Sequence, residues 1–340
     1  MKRIVVLGGF GLFGRTIVSE LATLGLTAVV GSRRGEANLR VDANDAASMQ
    51  QVLRAGDLVV DAAGPFHPRS TALIRKAIEM KFDVVDINDD LGYAEAALQL
   101  APEIAAAGIR VLSSASSVSA IAAAVVAHSG IAMPRRVTSF LAPASRHTAN
   151  PGTAGSLWRT IGRPVRVLRE GRLETRVGWS ETRNFAMPRP LGKIRGHLFE
   201  SADAIYLPKI WPMLRDVSMY IDSNTFGANT LLQMASNSEP LRELAESKVH
   251  IGAWIARKFG SSAGGLGYEL EGSDGRISRH AIVAASNSFV AAVAPAVLAT
   301  RAIATGEFRA NGFVLPNQHV SPPELFAYLT KRGITLSDSV

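Results

Sequence analysis

The sequence predicts an α/β protein: a Rossmann-type doubly wound parallel sheet carrying an inserted α+β domain. Three observations carry this expectation. Over the first 132 residues short β-branched runs alternate with Ala/Leu-rich stretches of helical length. A glycine-rich turn lies directly between the first apolar run and the first helical stretch, and the texture of the chain changes at Arg135 and changes back after Ser286.

In chain order, strands are predicted at Arg3–Leu7, Ala28–Gly31, Leu39–Val41, Leu58–Asp61, Val84–Asp86 and Arg110–Ser113. Helices are predicted at Leu12–Leu24, Ala46–Leu53, Ser70–Met80, Tyr93–Ala107 and Val118–Ser129. Six strands joined by five right-handed crossovers complete a doubly wound sheet. From Arg135 the chain is Arg-rich and alternating. Pro164–Leu168 and Arg172–Gly178 flank Glu170-Gly171, and Tyr268–Glu271 and Arg276–Val283 flank Ser273-Asp274-Gly275, as in antiparallel hairpins. Leu241–Phe259 reads as one helix, with Ser238 or Glu239 at its start and Pro240 at a tolerated first position. A long Ala-rich helix follows at Phe289–Ala304, stopped by Gly306. The predicted domains are therefore residues 1–132 with 287–340, a dinucleotide-binding domain, and 133–286, an inserted domain for substrate or oligomerisation.

The 340 residues are 47% hydrophobic and 19% charged, a globular composition somewhat short of the usual charge of about 25%. With no Cys, thiolate catalysis, Fe–S clusters and Cys-bound zinc are excluded, and no metal site is predicted. Glycines interrupt the apolar start where a signal peptide needs an unbroken run. The apolar window Ala281–Ala304 contains Asn287, Pro295 and Arg301, so a buried helix is expected there and no membrane span. A cytoplasmic protein is the expectation. The net charge of +8 is localised: residues 133–200 hold 13 basic and 4 acidic side chains, 12 of the 13 being Arg. This is either a solvated basic face or a field that attracts anions.

Gly8-Gly9-Phe10-Gly11-Leu12-Phe13-Gly14 follows the apolar run Ile4–Leu7 and opens a helix. Absent side chains allow a tight turn and close approach of backbone N–H groups to a pyrophosphate, and the helix N-terminus attracts the anion. A domain of this kind for NAD places an acidic residue ~20 positions later, against the ribose hydroxyls. Here Gly31-Ser32-Arg33-Arg34 stands at that place. A guanidinium fork suits a 2′-phosphate, so NADP is the expected cofactor and NAD the lesser one. Asp42 either contacts the adenine amino group or leads into the next helix, whose cap is Asn44 or Asp45. Ala62-Ala63-Gly64-Pro65-Phe66 follows the fourth strand, where small residues let the chain pass beneath the nicotinamide-side ribose; the alternative is a plain turn.

With these motifs in place, the sequence resembles the saccharopine dehydrogenase-like, or saccharopine reductase-like, NAD(P)-binding family. The resemblance rests on Gly8–Gly14, on Asp61-Ala62-Ala63-Gly64-Pro65-Phe66, and on Val84-Val85-Asp86-Ile87 with its acidic turn. It continues through Ser113-Ser114-Ala115-Ser116-Ser117, Arg163-Pro164 with the Glu170-Gly171 hairpin and Trp179, to Asn311-Gly312-Phe313-Val314-Leu315-Pro316 and Pro323–Arg332. It implies a Rossmann domain, an inserted α+β domain, a C-terminal return to the first domain and a nicotinamide cofactor. It does not imply one substrate. Asn88-Asp89-Asp90 replaces the family's Gly-Glu type of turn, and Ser117-Val118-Ser119 lacks its Pro-Gly.

Hydride transfer requires positioning and a proton donor beside the reacting group. Ligands of open α/β sheets sit beyond the carboxyl ends of the strands, which nominates Asp86 to Asp90 and Ser113 to Ser117. Asp89 and Asp90 are alternatively helix-capping carboxylates. From the middle domain, Ser145-Arg146-His147-Thr148 and Asn150-Pro151-Gly152-Thr153 are the polar candidates. Arg146 is the expected anchor for an anionic substrate in the cleft between the domains, and His147 the proton donor. Tyr206–Pro212 reads as a lid, an apolar wall or a packed loop. The expected function is an NADP(H)-dependent oxidoreductase acting on a small, anionic carbonyl, imine or enoyl compound, with a homodimer as one assembly. A non-catalytic NADP(H) sensor is the alternative. Nucleic-acid binding through Trp158, Trp179 and Phe185 lacks a recognisable motif, and no nucleic-acid partner is expected.

Overall fold

The fold was obtained as a computed structural model that describes residues 2–33, 37–67 and 69–338. The first part of the chain forms β1 (Ile4–Leu7), α1 (Leu12–Thr23), β2 (Ala28–Ser32), β3 (Leu39–Arg40), α2 (Ala46–Val52), β4 (Leu58–Asp61) and α3 (Ala72–Met80). It continues with β5 (Asp83–Asp86), α4 (Leu91–Gln99), α5 (Ala101–Ala107), β6 (Arg110–Leu112) and α6 (Ser119–His128). Next come β7 (Pro134–Ala142), α7 (Ser145–Thr148), α8 (Pro151–Trp158), β8 (Pro164–Arg169), β9 (Arg172–Val177), β10 (Thr182–Ala186), β11 (Lys193–Phe199), α9 (Asp203–Ile210) and β12 (Asp216–Ile221). The remaining elements are α10 (Ala228–Ser236), α11 (Glu239–Ser247), α12 (Val249–Phe259), β13 (Gly264–Gly272), β14 (Ile277–Ala284), α13 (Phe289–Thr305), β15 (Gly312–Val314), α14 (Pro322–Thr330) and β16 (Ile334–Asp338).

Two sheets result. The first has seven parallel strands in the order β15-β6-β5-β4-β1-β2-β3. Its strands β1, β4 and β5 are buried along their whole length, as continuous Val/Ile/Leu runs require when helices cover both faces. The order reverses between β1 and β4, so the switch point falls where the glycine turn leaves β1. Six strands were expected; the seventh is β15, which pairs with β6. The second sheet has nine strands. Seven run β10-β11-β12-β7-β13-β14-β16, and β8 pairs with both β12 and β9. Only β12 and β7 pair in parallel within it, among the described residues. Its core gathers Phe140, Val165, Phe185, Leu198, Tyr220 and Val283.

The chain divides into two units, residues 1–124 with 290–325, and residues 125–289 with 326–340. This division differs from the predicted one at the C-terminus. Residues 326–340 fall in the second unit because β16 pairs antiparallel with β14, from His280 opposite Asp338 to Ala284 opposite Ile334.

Three further expectations are corrected. Tyr93–Ala107 is two helices, since Pro102, in the first turn of α5, has no N–H to continue the bond ladder of α4. Leu241–Phe259 is also two, because the Lys248 N–H bonds back to Ala245, a tight turn that residue propensities do not announce. Tyr206–Ile210 is helical: Tyr206 and Leu207 are buried in α9, which carries Pro208 near its end, and only Trp211 and Pro212 lie beyond it. Among the described residues no helix is long and apolar enough to cross a membrane. No group of three or more His, Asp or Glu among them is placed to hold a metal ion.

Candidate functional site

The cofactor candidates gather at the carboxyl ends of adjacent strands of the first unit. Leu7, Gly31 and Asp61 stand side by side in the register of β2, β1 and β4. The glycine turn after β1 therefore lies between Ser32–Arg33 and the Ala62–Phe66 loop. Gly8 has φ +72°, its N–H donates to the Gly31 carbonyl at 3.0 Å, and its own carbonyl accepts from the Gly11 N–H at 2.8 Å. A Cβ on Gly8 would stand 2.6 Å from the Ala62 carbonyl oxygen, and one on Gly14 would stand 2.2 Å from the Gly8 oxygen. The turn thus folds against its own helix and against the β4 loop with no room for a side chain. Gly11 caps α1 without a side chain, so the first-turn N–H groups of Leu12 and Phe13 are left for an outside acceptor.

Arg33 is exposed and Ser32 half-buried; Arg34 lies outside the described residues. The Asp42 carboxylate accepts from the Asn44 N–H at 2.9 Å, and Asp45 caps α2 through the Ala47 N–H. Beyond β5, Asp90 caps α4 through the Tyr93 N–H, while Asp89 is half-buried beside it. Arg146 and His147 belong to the second unit, exposed on the four-residue helix α7. The Arg146 N–H donates to the Ser261 carbonyl at 3.1 Å, and the His147 ring meets Phe289 edge-on at 6.1 Å. The basic excess of residues 133–200 is in good part structural. Arg136, Arg159, Arg163, Arg166, Arg169, Arg176 and Arg183 are all ion-paired with glutamates. Trp179 is fully buried against His197, and Phe185 is stacked on Phe140 in the core, so neither ring is available to a base.

Sequence reasoning missed Arg69. Its Nη2 lies 2.8 Å from Asp61 Oδ2, both side chains being buried, and its Nη1 donates to the Ala63 carbonyl at 3.1 Å. Its guanidinium also sits over the Phe66 ring, 5.0 Å from the centroid. One side chain therefore holds the start, middle and end of the Asp61–Phe66 loop. Burial disfavours its charge, but Asp61 outweighs burial and lifts Arg69 above its ordinary pKa. The signal available in the sequence was only a basic residue eight positions after a strand-ending Asp.

Next to Asp61 in the register is Asp86. Its Oδ1 accepts from the Ser114 N–H at 2.8 Å, the Asn88 N–H at 3.0 Å and the Ser113 hydroxyl at 3.0 Å. Its Oδ2 is buried and meets no hydrogen-bond donor among the described residues. Desolvation, aided by the nearby Asp61 charge and opposed by those three hydrogen bonds, pushes the carboxyl up to about 7. The ordinary value is 3.8, so the folded state binds a proton between about pH 4 and 7 that the unfolded chain has released. Stability from this group is therefore full below about pH 4, falls as pH rises from about 4 to 7, and levels off above, the whole loss being up to roughly 4 kcal/mol. Urea unfolding of the wild type from pH 5 to 8 should show this decline, and Asp86→Asn should flatten it. An equal slope in both proteins would contradict the assignment.

Residues 4–112 match the profile of the saccharopine dehydrogenase NADP binding domain. No curated protein sequence matches the chain. Among solved structures, saccharopine dehydrogenase (L-Glu forming) from Saccharomyces cerevisiae, in its apo form, aligns with a TM-score of 0.63 at 16% identity. That alignment covers 100% of this chain and 99% of that one. The WlbA dehydrogenase from Thermus thermophilus, solved with NAD and alpha-ketoglutarate, aligns with a TM-score of 0.42 at 12% identity, over 96% and 94% of the two chains. The glycine turn at the switch point of a parallel sheet is the arrangement of a dinucleotide-binding fold. Within that fold, residues 4–112 are similar to the NADP binding domain of saccharopine dehydrogenase, and the chain as a whole shares the fold of the yeast enzyme.

Proposed function

We propose that the chain is an NADP(H)-dependent oxidoreductase that moves hydride to or from a small anionic carbonyl, imine or enoyl compound, in the cytoplasm. The glycine turn carries this reading: with no side chain at Gly8 or Gly14 the turn packs tightly on the head of α1 and on the β4 loop, which leaves the first-turn N–H groups of α1 to meet a pyrophosphate. Gly8 to Phe13 would hold the pyrophosphate, Ala63 to Phe66 the nicotinamide-side ribose, and Ser32, Arg33 and Arg34 the 2′-phosphate. Asp42 would face the adenine. When bound, the cofactor supplies or accepts the hydride.

The protein's own contribution is then to anchor the substrate and manage one proton. Seven arginines of residues 133–200 are occupied by glutamates; among the others the exposed Arg146, next to His147, would be the anchor, through a bidentate carboxylate contact. His147 next to it would give the proton that balances hydride addition at a carbonyl oxygen or imine nitrogen. Asp89 would orient the substrate from the β5 end.

NADPH is expected to bind more tightly than NADH, and replacing Arg33 and Arg34 by Ser should narrow the preference by about tenfold or more, since charge-assisted bonds contribute ~1.5–3 kcal/mol each. Equal affinities in the unmodified protein would remove NADP from the proposal. NADPH oxidation with a panel of carbonyl, imine and enoyl compounds, alongside Arg146→Ala and His147→Ala, tests the substrate part. Full activity in both variants would dismiss those two residues. NADPH binding with no turnover of any class would favour a sensor.

A further inference from the structure

We propose that the outward face of α10, α11 and α12 is the contact surface for a second copy of this chain. The three helices carry their large apolar side chains on the wrong side for a monomer. Every residue of α11 and α12 is described, and none is buried. On α12 the half-buried positions are Val249 and the small Ala253 and Ala256, whereas Ile251, Trp254, Ile255 and Phe259 are 40–62% exposed. Their spacing of i, i+3, i+4 and i+8 is one continuous helical face. Leu244 on α11 and Leu231 on α10 extend it, at 60% and 69% exposed. Nine large apolar side chains between residues 226 and 259 are at least 40% exposed. That is a patch on the order of the ~800 Å² per partner of a stable interface, and larger than the 300–600 Å² patches ordinary on monomers.

Charge selects the occupant. Helix α11 carries Glu239, Glu243 and Glu246 against Arg242, whereas Lys248 and α12 contribute Lys248, Arg257 and Lys258 with no carboxylate. Glu246 reaches Arg163 at 2.6 Å, but Glu243 is exposed. The Lys258 ammonium lies 5.3 Å from the Trp254 ring centroid, at the border of the apolar face. A two-fold axis that sets α11 of one copy against α12 of the other places apolar face on apolar face and acid against base. An anionic lipid surface would draw in α12 and repel α11. The same helix steadies the α7 segment, since Arg257 donates to the Ala149 carbonyl at 2.8 Å. Dimerisation would therefore also fix the backbone that follows Arg146 and His147. The surface itself does not depend on the catalytic proposal.

Sedimentation velocity of the full chain over a wide concentration range is the test. The wild type should be a dimer. Trp254→Glu and Leu244→Glu change exposed positions only, so they should melt like the wild type while raising the dimer dissociation constant by about 100-fold or more. Glu243→Lys and Lys258→Glu should each weaken the dimer, and their combination should restore part of the loss. A wild type that stays monomeric, or a dimer indifferent to Trp254→Glu and Leu244→Glu, would overturn the proposal. Monomers that float with phosphatidylglycerol vesicles, and fail to do so after Trp254→Glu, would replace the second copy with a lipid surface.

Discussion

Arg69→Ala is expected to destabilise the protein by about 3–5 kcal/mol, as removal of one partner from a buried ion pair does. Asp61 would remain fully buried without its counter-charge, beside a second buried carboxyl, Asp86. The loop would also lose the bond to the Ala63 carbonyl and the cation over Phe66. Urea unfolding at pH 7.5 measures the loss. The double variant Asp61→Asn with Arg69→Met removes both charges and should recover a large part of it, which separates the stranded charge from simple loss of packing. A loss below about 1 kcal/mol in the single variant, the size typical of an exposed pair, would show that the pair is not insulated from water.

Gly8→Ala and Gly14→Ala should each weaken NADPH binding by at least about 100-fold. At Gly8 the left-handed backbone and the contact with the Ala62 carbonyl both oppose a methyl group; at Gly14 the obstacle is the Gly8 carbonyl itself. In each case backbone must move, and the N–H groups at the head of α1 move with it. Losing two charge-assisted bonds to a phosphate, at ~1.5–3 kcal/mol each, gives that factor. Fluorescence titration with NADPH reads the affinity, and circular dichroism confirms that the sheet persists. Wild-type affinity in both variants would remove the pyrophosphate from this turn.

These expectations show where the sequence was readable. Strands of the parallel sheet announce themselves because burial on both faces demands unbroken apolar runs. Leu58–Asp61 was found to the residue, and the neighbouring bounds shifted by one or two. The three-residue β15 is too short for any periodicity to mark it, and it becomes a strand only because β6 offers an open edge. In the second sheet the β8–β9 and β13–β14 hairpins were legible from their Gly turns, whereas the β10–β11 pair was not. Strands β7 and β12 were not, since their pairing joins residues about eighty positions apart with no local turn to announce it. The glycine turn was visible as composition plus context. The Asp61–Arg69 pair was not, because its chemistry comes from burial and from a loop folding back on itself. On α12 the amphipathic pattern is evident in the letters, yet only the fold reveals that the alanines face inward and the large side chains outward.

The pairing of β15 with β6 has a consequence for how the chain is made. The Arg110 guanidinium donates to the carbonyl of Ala310, 200 residues later, and the Gly312 N–H donates to Ile109. At synthesis rates of about 5–20 residues per second, β6 waits roughly 10–40 s on the ribosome for its outer neighbour. During that interval the nascent nucleotide-binding sheet ends in an unpaired edge, the kind of surface that recruits foreign strands. The second sheet waits as well, because β14 receives β16 only after about fifty further residues. Each unit is closed only by a segment that follows the whole of residues 125–289. Productive folding is therefore governed by contacts of long sequence separation, and the vulnerable species is a chain in which β6 and β14 still lack β15 and β16.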